Sequence, residues 1–278
     1  MPDFAILPPR VRKYLHVLGI GIQNTLVYRV NFLFRAALGL IPLMGTLFVW
    51  RTIYGDKAPG ELVGSYTLAA MVSYYLLVTF VDALTAVAED DWQIAADIKD
   101  GNISQFLLKP VDYLTYRFCL YVSGRAIYTT VALVPVAIFA WAQREYLVGP
   151  ADLTATLAFI GSTLMAGLLQ FFIAYTSALL AFWVLDVSTF IFILFAFEYI
   201  ASGHLFPLDL LPPLLTKVLM LTPYPYLCHF PVSVYLGRVT GADLWQGLSI
   251  QALWVVLGYG LARFVWSRGI RRYSAAGG

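Results

Sequence analysis

Charged residues are scarce in this chain. Only 12% of its 278 residues are Asp, Glu, Lys or Arg, about half the share that is usual in soluble globular domains, whereas 60% are hydrophobic. This composition excludes a soluble globular domain. The formal net charge of +2 gives no reason to expect a nucleic-acid partner. Cysteines are equally few: Cys119 and Cys228 fall in segments predicted to lie at opposite membrane faces, so no disulfide is expected.

Motifs that carry chemistry are also missing. The sequence has no Gly-x-x-x-x-Gly-Lys-Ser/Thr phosphate loop, so it is not expected to bind ATP by that route. It also lacks His-Glu-x-x-His, Cys-x-x-Cys and Gly-x-Ser-x-Gly. His204 and His229 have no carboxylate pair at ligand spacing, so no metal site is expected. One alternative stays open, a membrane-embedded enzyme acting on lipid, which we would expect to carry a carboxylate or histidine cluster at one interface.

Long apolar runs fill most of the sequence and predict an all-α integral membrane protein. Residues 10–31 have a 3.6-residue apolar period with basic flanks, which predicts an amphipathic helix in the membrane interface. The sequence therefore divides into an N-terminal interfacial helix, 1–31, and a six-helix transmembrane domain, 32–278. The six predicted spans are 32–54, 65–87, 117–141, 153–183, 187–202 and 244–266.

One long polar stretch, residues 89–110, interrupts the apolar runs and is called the polar segment below. Asp90 or Asp91 can cap a short helix in it, and Gly101 stands where a helix needs a left-handed exit residue. The segment carries three apolar anchors among charged neighbours, namely Trp92, Ile94 and Ile98. Such anchors are typical of an interface. We expect a partner to dock here; a capped loop lying in the lipid interface is the alternative.

A second unusual stretch, residues 203–243, is rich in proline and is called the proline-rich segment below. Its two apolar pieces are each about ten residues long, too short to cross a bilayer. They predict a pair of re-entrant helices that form an outer gate. Asp209 is expected near the cap of the first helix, and Gly237 is expected to end the second. The candidate gate residues are Phe206, Pro207, Pro212, Pro223, Pro225 and Pro231.

Four ionisable residues fall inside the predicted spans, namely Arg35, Asp82, Arg125 and Glu198. Ionisable groups are costly in lipid and mark a functional site by default. Arg35, Asp82 and Arg125 are placed near one leaflet by residue count, where pairing or snorkelling is the alternative to contact with a transported molecule. If pairing applies, Asp82 is expected to pair with Arg35 or Arg125.

Lysine and arginine are unevenly distributed between the two predicted sides of the membrane. With six spans, both termini share a side with the polar segment. Eleven of the 18 basic residues fall on that side and five on the other, with two inside spans. The positive-inside rule therefore places the termini and the polar segment in the cytoplasm and the proline-rich segment outside.

Several short motifs, in this order and topology, carry a family resemblance that extends over nearly the whole chain. They are Val11-Arg12-Lys13-Tyr14-Leu15, Leu26-Val27-Tyr28-Arg29-Val30-Asn31-Phe32, Trp92-Gln93-Ile94, Asp97-Ile98-Lys99-Asp100-Gly101, Leu107-Leu108-Lys109-Pro110, Ser202-Gly203, Phe206-Pro207-Leu208 and Leu211-Pro212. Together they resemble the permease subunit of an ABC-2-type exporter, in the six-span group with an N-terminal amphipathic helix and a type V exporter-like fold.

The resemblance implies a permease subunit of an ATP-driven exporter in the cell membrane, inner or plasma. Two permease chains, identical or related, would form the pathway among membrane lipids, and two separate ATPase subunits would use ATP and Mg²⁺, with no cofactor held by this chain. The loop 88–116 would present a cytoplasmic coupling helix to an ATPase cleft. That role falls on Asp90, Trp92, Ile94, Asp97, Ile98 and Gly101.

An ion-coupled carrier or a channel without an ATPase is the other alternative. A carrier is expected to have Gly- or Pro-broken helices in both halves, whereas the breaks here lie only in the second half. The spans also contain aromatic residues that suit amphipathic cargo or, equally, ordinary helix packing. These residues are Tyr74, Tyr75, Phe171, Phe172 and Tyr175.

Overall fold

The computed structural model of the chain describes residues 8–55, 57–58, 60–87, 90–184 and 186–273, apart from the side chains of residues 9, 10, 90 and 91. Within these residues the regular structure is helical, with short 3₁₀ turns and no β-strand, so the all-α prediction is confirmed. The α-helices are α1 (Pro9–Leu26), α2 (Arg29–Gly55), α3 (Leu68–Thr85), α4 (Asp90–Lys99), α5 (Ile103–Leu107), α6 (Tyr113–Ala142), α7 (Leu153–Ala178), α8 (Ser188–Ala201), α9 (Pro213–Met220), α10 (His229–Tyr235) and α11 (Gly241–Arg272).

Five of these helices are long and apolar enough to cross a membrane: α2, α3, α6, α11, and α7 with its 3₁₀ extension to Phe182. Helix α8 occupies the place predicted for the fifth span, but its 14 residues reach only about 21 Å. A bilayer core is about 30 Å thick. Five of the predicted spans therefore have the required length. Whether α8 crosses the membrane as the sixth span stays a prediction.

Three spans begin where a polar side chain can cap the helix. Thr67 accepts a hydrogen bond from the backbone of α3, Asp112 from α6 and Asp152 from α7. Each cap satisfies one of the backbone N–H groups that the first turn of a helix leaves without a partner. Short polar side chains between apolar runs therefore fix where these helices start.

The N-terminal helix α1 lies against α6. It ends at Leu26, five residues before the predicted boundary at 31, because the chain turns there before α2 begins. The hydroxyl of Ser123 in α6 donates to the carbonyl of Leu18 at 3.1 Å. A Cβ atom at Gly21 would lie only 2.8 Å from the side chain of Ser123, so the two helices pack closely at this glycine.

Helices α3 and α7 form the centre of the core, and a buried amide joins α11 to α7 and to the 3₁₀ turn before α10. The Gln251 side chain is fully buried; its Nε2 donates to the carbonyls of Ser162 and Tyr226, both at 2.9 Å, and its Oε1 accepts from the Ser162 hydroxyl at 2.8 Å. Polar side chains between membrane helices commonly act in this way.

The proline-rich segment contains two short helices, as predicted. Helices α9 and α10 have eight and seven residues, about 10–12 Å each. Helix α9 is mostly exposed and α10 mostly buried. Gly237 follows α10 with a φ of +67°, which confirms that it ends this helix. The expectation for Asp209 is wrong, since it lies in a 3₁₀ turn before α9 and contacts other segments.

Candidate functional site

The polar segment folds into α4 and α5, joined by a tight turn. Helix α4 spans Asp90–Lys99, and Gly101 after it has a φ of +77°. The predicted left-handed exit at Gly101 is confirmed. The Tyr273 hydroxyl, beyond α11, donates to the carbonyl of Gly101 at 3.0 Å. The side chains of Asp90 and Asp91 lie outside the described residues, so their capping role stays a prediction.

One face of α4 is buried against the chain itself. Ile94 is 1% exposed and Ile98 is 5% exposed, and both pack in a cluster with Tyr113, Tyr175 and Leu179. The prediction that these two isoleucines enter a groove of an ATPase is therefore wrong. Apolar side chains on a short polar helix can be buried either by a partner protein or by the rest of their own chain. Here α6 and α7 of the same chain cover them.

A buried ion pair holds the same face of α4 to the start of α6. Arg117 in α6 is 4% exposed and its guanidinium binds the carboxylate of Asp97. The Tyr113 hydroxyl donates to Asp97 Oδ2 at 2.8 Å, and Arg117 also donates to that hydroxyl and to Gln93. Because a buried charge needs such partners, the orientation of α4 relative to α6 is fixed.

The opposite face of α4 is more exposed. Trp92 is 46% exposed, and Ala96 and Lys99 are exposed as well. Their spacing of four and three residues puts them on one side of the helix. In the rest of the polar segment, Leu108 after α5 is 89% exposed. We call Trp92, Ala96 and Lys99 the exposed face of α4. Of the three predicted apolar anchors, only Trp92 lies on this face.

The start of α6, just beyond the polar segment, is tied to α1 and α11. The Asp112 backbone N–H donates to the hydroxyl of Tyr14 in α1 at 3.0 Å, and the Asp112 carboxylate pairs with Arg263 in α11. Burial disfavours the ionised form of Asp112, but hydrogen bonds from Arg263 and Thr115 outweigh it and hold the pKa below its usual value. Because α4 is paired with α6, movement of α4 would be transmitted to α6 and, through Asp112, to α1 and α11.

A cavity of about 520 Å³ lies between α2, α3, α6, α7 and α8. All four ionisable residues that the sequence places inside spans line it, namely Arg35, Asp82, Arg125 and Glu198. Their sequence positions did not predict that they share one cavity, because each belongs to a different helix. A cavity that brings several ionisable side chains together among apolar helices is a natural place for a transported molecule.

The carboxylate of Asp82 in the cavity pairs with a histidine. Its Oδ1 lies 3.4 Å from Nε2 of His204, at the start of the proline-rich segment. Arg125 instead places its guanidinium over the ring of Tyr128, 4.8 Å from the ring centroid. The prediction that Asp82 pairs with Arg35 or Arg125 is therefore corrected to His204, because the segment after α8 folds back to the level of Asp82.

Two cavity residues were missed by sequence reasoning. Gln170 Nε2 in α7 donates to Glu198 Oε1 at 2.7 Å, and His204 Nδ1 lies 2.6 Å from the Ser202 hydroxyl. The signal for Gln170 was available, since it is the single amide side chain in the sequence of α7. A polar side chain inside an apolar run marks a functional position.

The proline-rich segment contributes to the wall of the cavity. Leu205 and Leu227 line it there, and the Tyr75 hydroxyl donates to the carbonyl of Leu205 at 2.9 Å. Of the aromatic residues suggested for cargo, Tyr75 lines the cavity, whereas Tyr74, Phe171 and Tyr175 are at most 1% exposed and serve helix packing.

Most of the predicted gate residues lie at the turns and helix starts of this segment. Pro207 and Pro223 precede the two 3₁₀ turns, and Pro212 precedes α9. Pro225 is buried within the second 3₁₀ turn, and Pro231 is buried within α10. Phe206 is half-buried ahead of the first turn. Their role in a gate stays a prediction.

The sequence was also compared with known proteins. It matches the family described as "ABC-2 family transporter protein" over residues 40–277. No curated protein matches it significantly.

Proposed function

The chain belongs to the ABC-2 transporter family, and from that premise we propose that it is the permease subunit of an ATP-driven exporter. Two permease chains would form the pathway, and two separate ATPase subunits would bind ATP and Mg²⁺ below them. ATP binding closes the ATPase pair and thereby favours one arrangement of the permeases, and hydrolysis resets it. The bias comes from the tighter binding of ATP to the closed state.

The observation that carries this proposal is the two-sided construction of α4. Its inner face is held by Ile94, Ile98 and the Asp97–Arg117 pair, while Trp92 lies on the other side. A helix that is fixed on one face and exposed on the other can transmit the movement of a bound partner to the membrane helices. A capped loop resting in the lipid interface has no need of a buried ion pair.

Charge placement supports a cell-membrane orientation with the polar segment and both termini in the cytoplasm. The exposed face of α4 then points to the compartment that contains ATP. The cavity with its four ionisable residues would receive the cargo. Apolar walls with a few charged groups suit an amphipathic molecule with a polar head.

The test is the substitution Trp92→Ala in the tagged chain, purified with its ATPase. Buried interface tryptophans commonly contribute about 2 kcal/mol or more, so we expect at least a tenfold loss of ATPase recovery and of ATP hydrolysis by the complex. The matched control is Trp141→Ala at the far end of α6, where the tryptophan is 68% exposed. Equal ATPase recovery and hydrolysis in both variants would refute the coupling role.

An ion-coupled carrier is the second candidate, because Asp82 and His204 form an ionisable pair inside the cavity. Such pairs are typical of proton relays in carriers. The two functions differ in their energy source. Transport by the purified chain alone, driven by an ion gradient and unaffected by Trp92→Ala, would favour the carrier.

A further inference from the structure

Asp209 is the centre of a polar cluster in the proline-rich segment, the segment whose Leu205 and Leu227 line the cavity. Its Oδ2 accepts a hydrogen bond from the Tyr66 hydroxyl at 2.9 Å and lies 3.4 Å from Nε of Arg238. Its Oδ1 lies 3.5 Å from Nε2 of His229. The three partners come from separate places: the turn before α3, the turn after α10 and the first residue of α10.

The partners of Asp209 are themselves held in place. The Arg238 guanidinium lies over the ring of Tyr66, 3.7 Å from its centroid, and donates to the carbonyl and hydroxyl of Ser65. His229 is 2% exposed, and its backbone N–H donates to the carbonyl of Ser202 at 2.9 Å. One carboxylate thus joins both ends of the proline-rich segment to the start of α3.

The same segment packs tightly against α3, close in sequence to its residues that line the cavity. The Tyr74 hydroxyl donates to the carbonyl of Gly203 at 2.7 Å. Gly203 has a φ of +88°, and a Cβ atom there would lie 2.7 Å from the Tyr74 hydroxyl and 2.9 Å from the Cβ of His229. Leu205, two residues after Gly203, and Leu227, two residues before His229, line the cavity. Displacing the segment from the cavity must therefore break contacts made by Asp209 and its partners.

We infer that Asp209 is a latch: it holds the proline-rich segment over the cavity, and release of this latch opens the cavity toward the face on which α9 and α10 lie. The inference rests on the proposed function in treating the cavity as the cargo site. Asp209 acts through Tyr66, His229 and Arg238 and is a positioning residue, with no contact to cargo required.

The chain carries a native reporter of this opening. Cys228 precedes α10, adjoins His229 and is 0% exposed. In a Cys119→Ala background, the rate at which a charged maleimide alkylates Cys228 measures how often the segment leaves the cavity. The purified chain in lipid nanodiscs is sufficient for this measurement, and the rate is divided by the rate for the same variant unfolded in detergent.

We expect Asp209→Asn to raise the alkylation rate of Cys228 at least tenfold, since three partners lose their charged acceptor. The control is Asp243→Asn, an exposed carboxylate in the first turn of α11, which should leave the rate unchanged. Equal rates for these two variants would overturn the latch.

Two further measurements separate opening from general unfolding. Tyr66→Phe removes a single hydrogen bond and keeps the ring under Arg238, so a smaller increase of about threefold is expected, with the melting temperature nearly unchanged. If the alkylation rate of Cys228 rises only in variants whose melting temperature falls in parallel, Asp209 has a general structural role and the proposal is overturned. The alkylation assay contains no ATPase, so its result does not depend on the coupling role proposed for Trp92. The two proposals can therefore fail independently.

Discussion

The ion pair between Asp97 and Arg117 allows a sharp prediction about the attachment of α4. Asp97→Asn keeps the size of the side chain and one acceptor oxygen but removes the charge that faces Arg117. The guanidinium of Arg117, a residue only 4% exposed, would then have only neutral acceptors: the Tyr113 hydroxyl, the side-chain amide oxygen of Gln93 and the oxygen of the new asparagine. We expect α4 to separate from α6 more often in this variant.

The size of the effect follows from the burial of the pair. Removing one partner of a fully buried pair costs about 3–5 kcal/mol. The Asp97 side chain is 19% exposed and asparagine still accepts a hydrogen bond, so we expect about 2–3 kcal/mol, which corresponds to a factor of about 30 to 150 in the opening equilibrium of α4.

Amide hydrogen exchange of the purified chain in nanodiscs measures this opening directly. Protection of the peptide covering α4 should fall by that factor, while peptides from α7 should be unaffected. Asp100→Asn, a change at an exposed carboxylate just beyond the same helix, is the matched control. Equal protection of α4 in the two variants would refute the reasoning.

The double variant Asp97→Asn with Arg117→Gln tests the pairing itself. If the cost of Asp97→Asn comes from an uncompensated arginine, removing the arginine charge should restore part of the protection. The two single effects should then sum to more than the effect of the double variant, as coupled neighbours do. Strict additivity would indicate that the two residues act independently.

Two other outcomes can be checked by thermal unfolding. Gly247→Ala should destabilise the chain by about 1–3 kcal/mol, because its Cβ would lie 2.2 Å from the buried ring of Phe230, whereas Gly260→Ala in the same helix meets nothing within 4 Å; similar melting of both variants would contradict the packing. Burial opposes ionisation of Asp209, but His229, Tyr66 and Arg238 outweigh it and lower the pKa from 3.8 to about 2. This stabilisation is present above about pH 4 and is lost as the pH falls through 2; since the side chain is a third exposed, we expect no more than about 2 kcal/mol, absent from Asp209→Asn.

Some features could be predicted because they depend on neighbours in the chain. Gly101 and Gly237 were expected to end helices, and both have positive φ. The start of α7 follows Asp152, whose carboxylate accepts from the backbone of Ala155. Local rules of this kind need no knowledge of the rest of the molecule, since the interacting groups lie within one helical turn.

Other features could not be predicted because they join distant parts of the chain. The sequence marked Ile98 as an apolar side chain in a polar segment, but whether a partner or the chain itself covers it depends on where α6 and α7 lie. Asp82 was predicted to be an intramembrane charge, yet its partner His204 lies 122 positions further on, beyond five other α-helices.

By itself, the sequence determined that this protein is a helical membrane protein, where most of its long helices lie, and which two segments depart from that pattern. Composition and periodicity decide these properties, because a bilayer accepts backbone only as hydrogen-bonded helices of sufficient apolar length. Tertiary structure alone decided that Arg35, Asp82, Arg125 and Glu198 share one cavity and that Asp209 joins three separate segments. Those groupings depend on how the helices pack, and packing brings together side chains whose separation in sequence carries no signal of their contact.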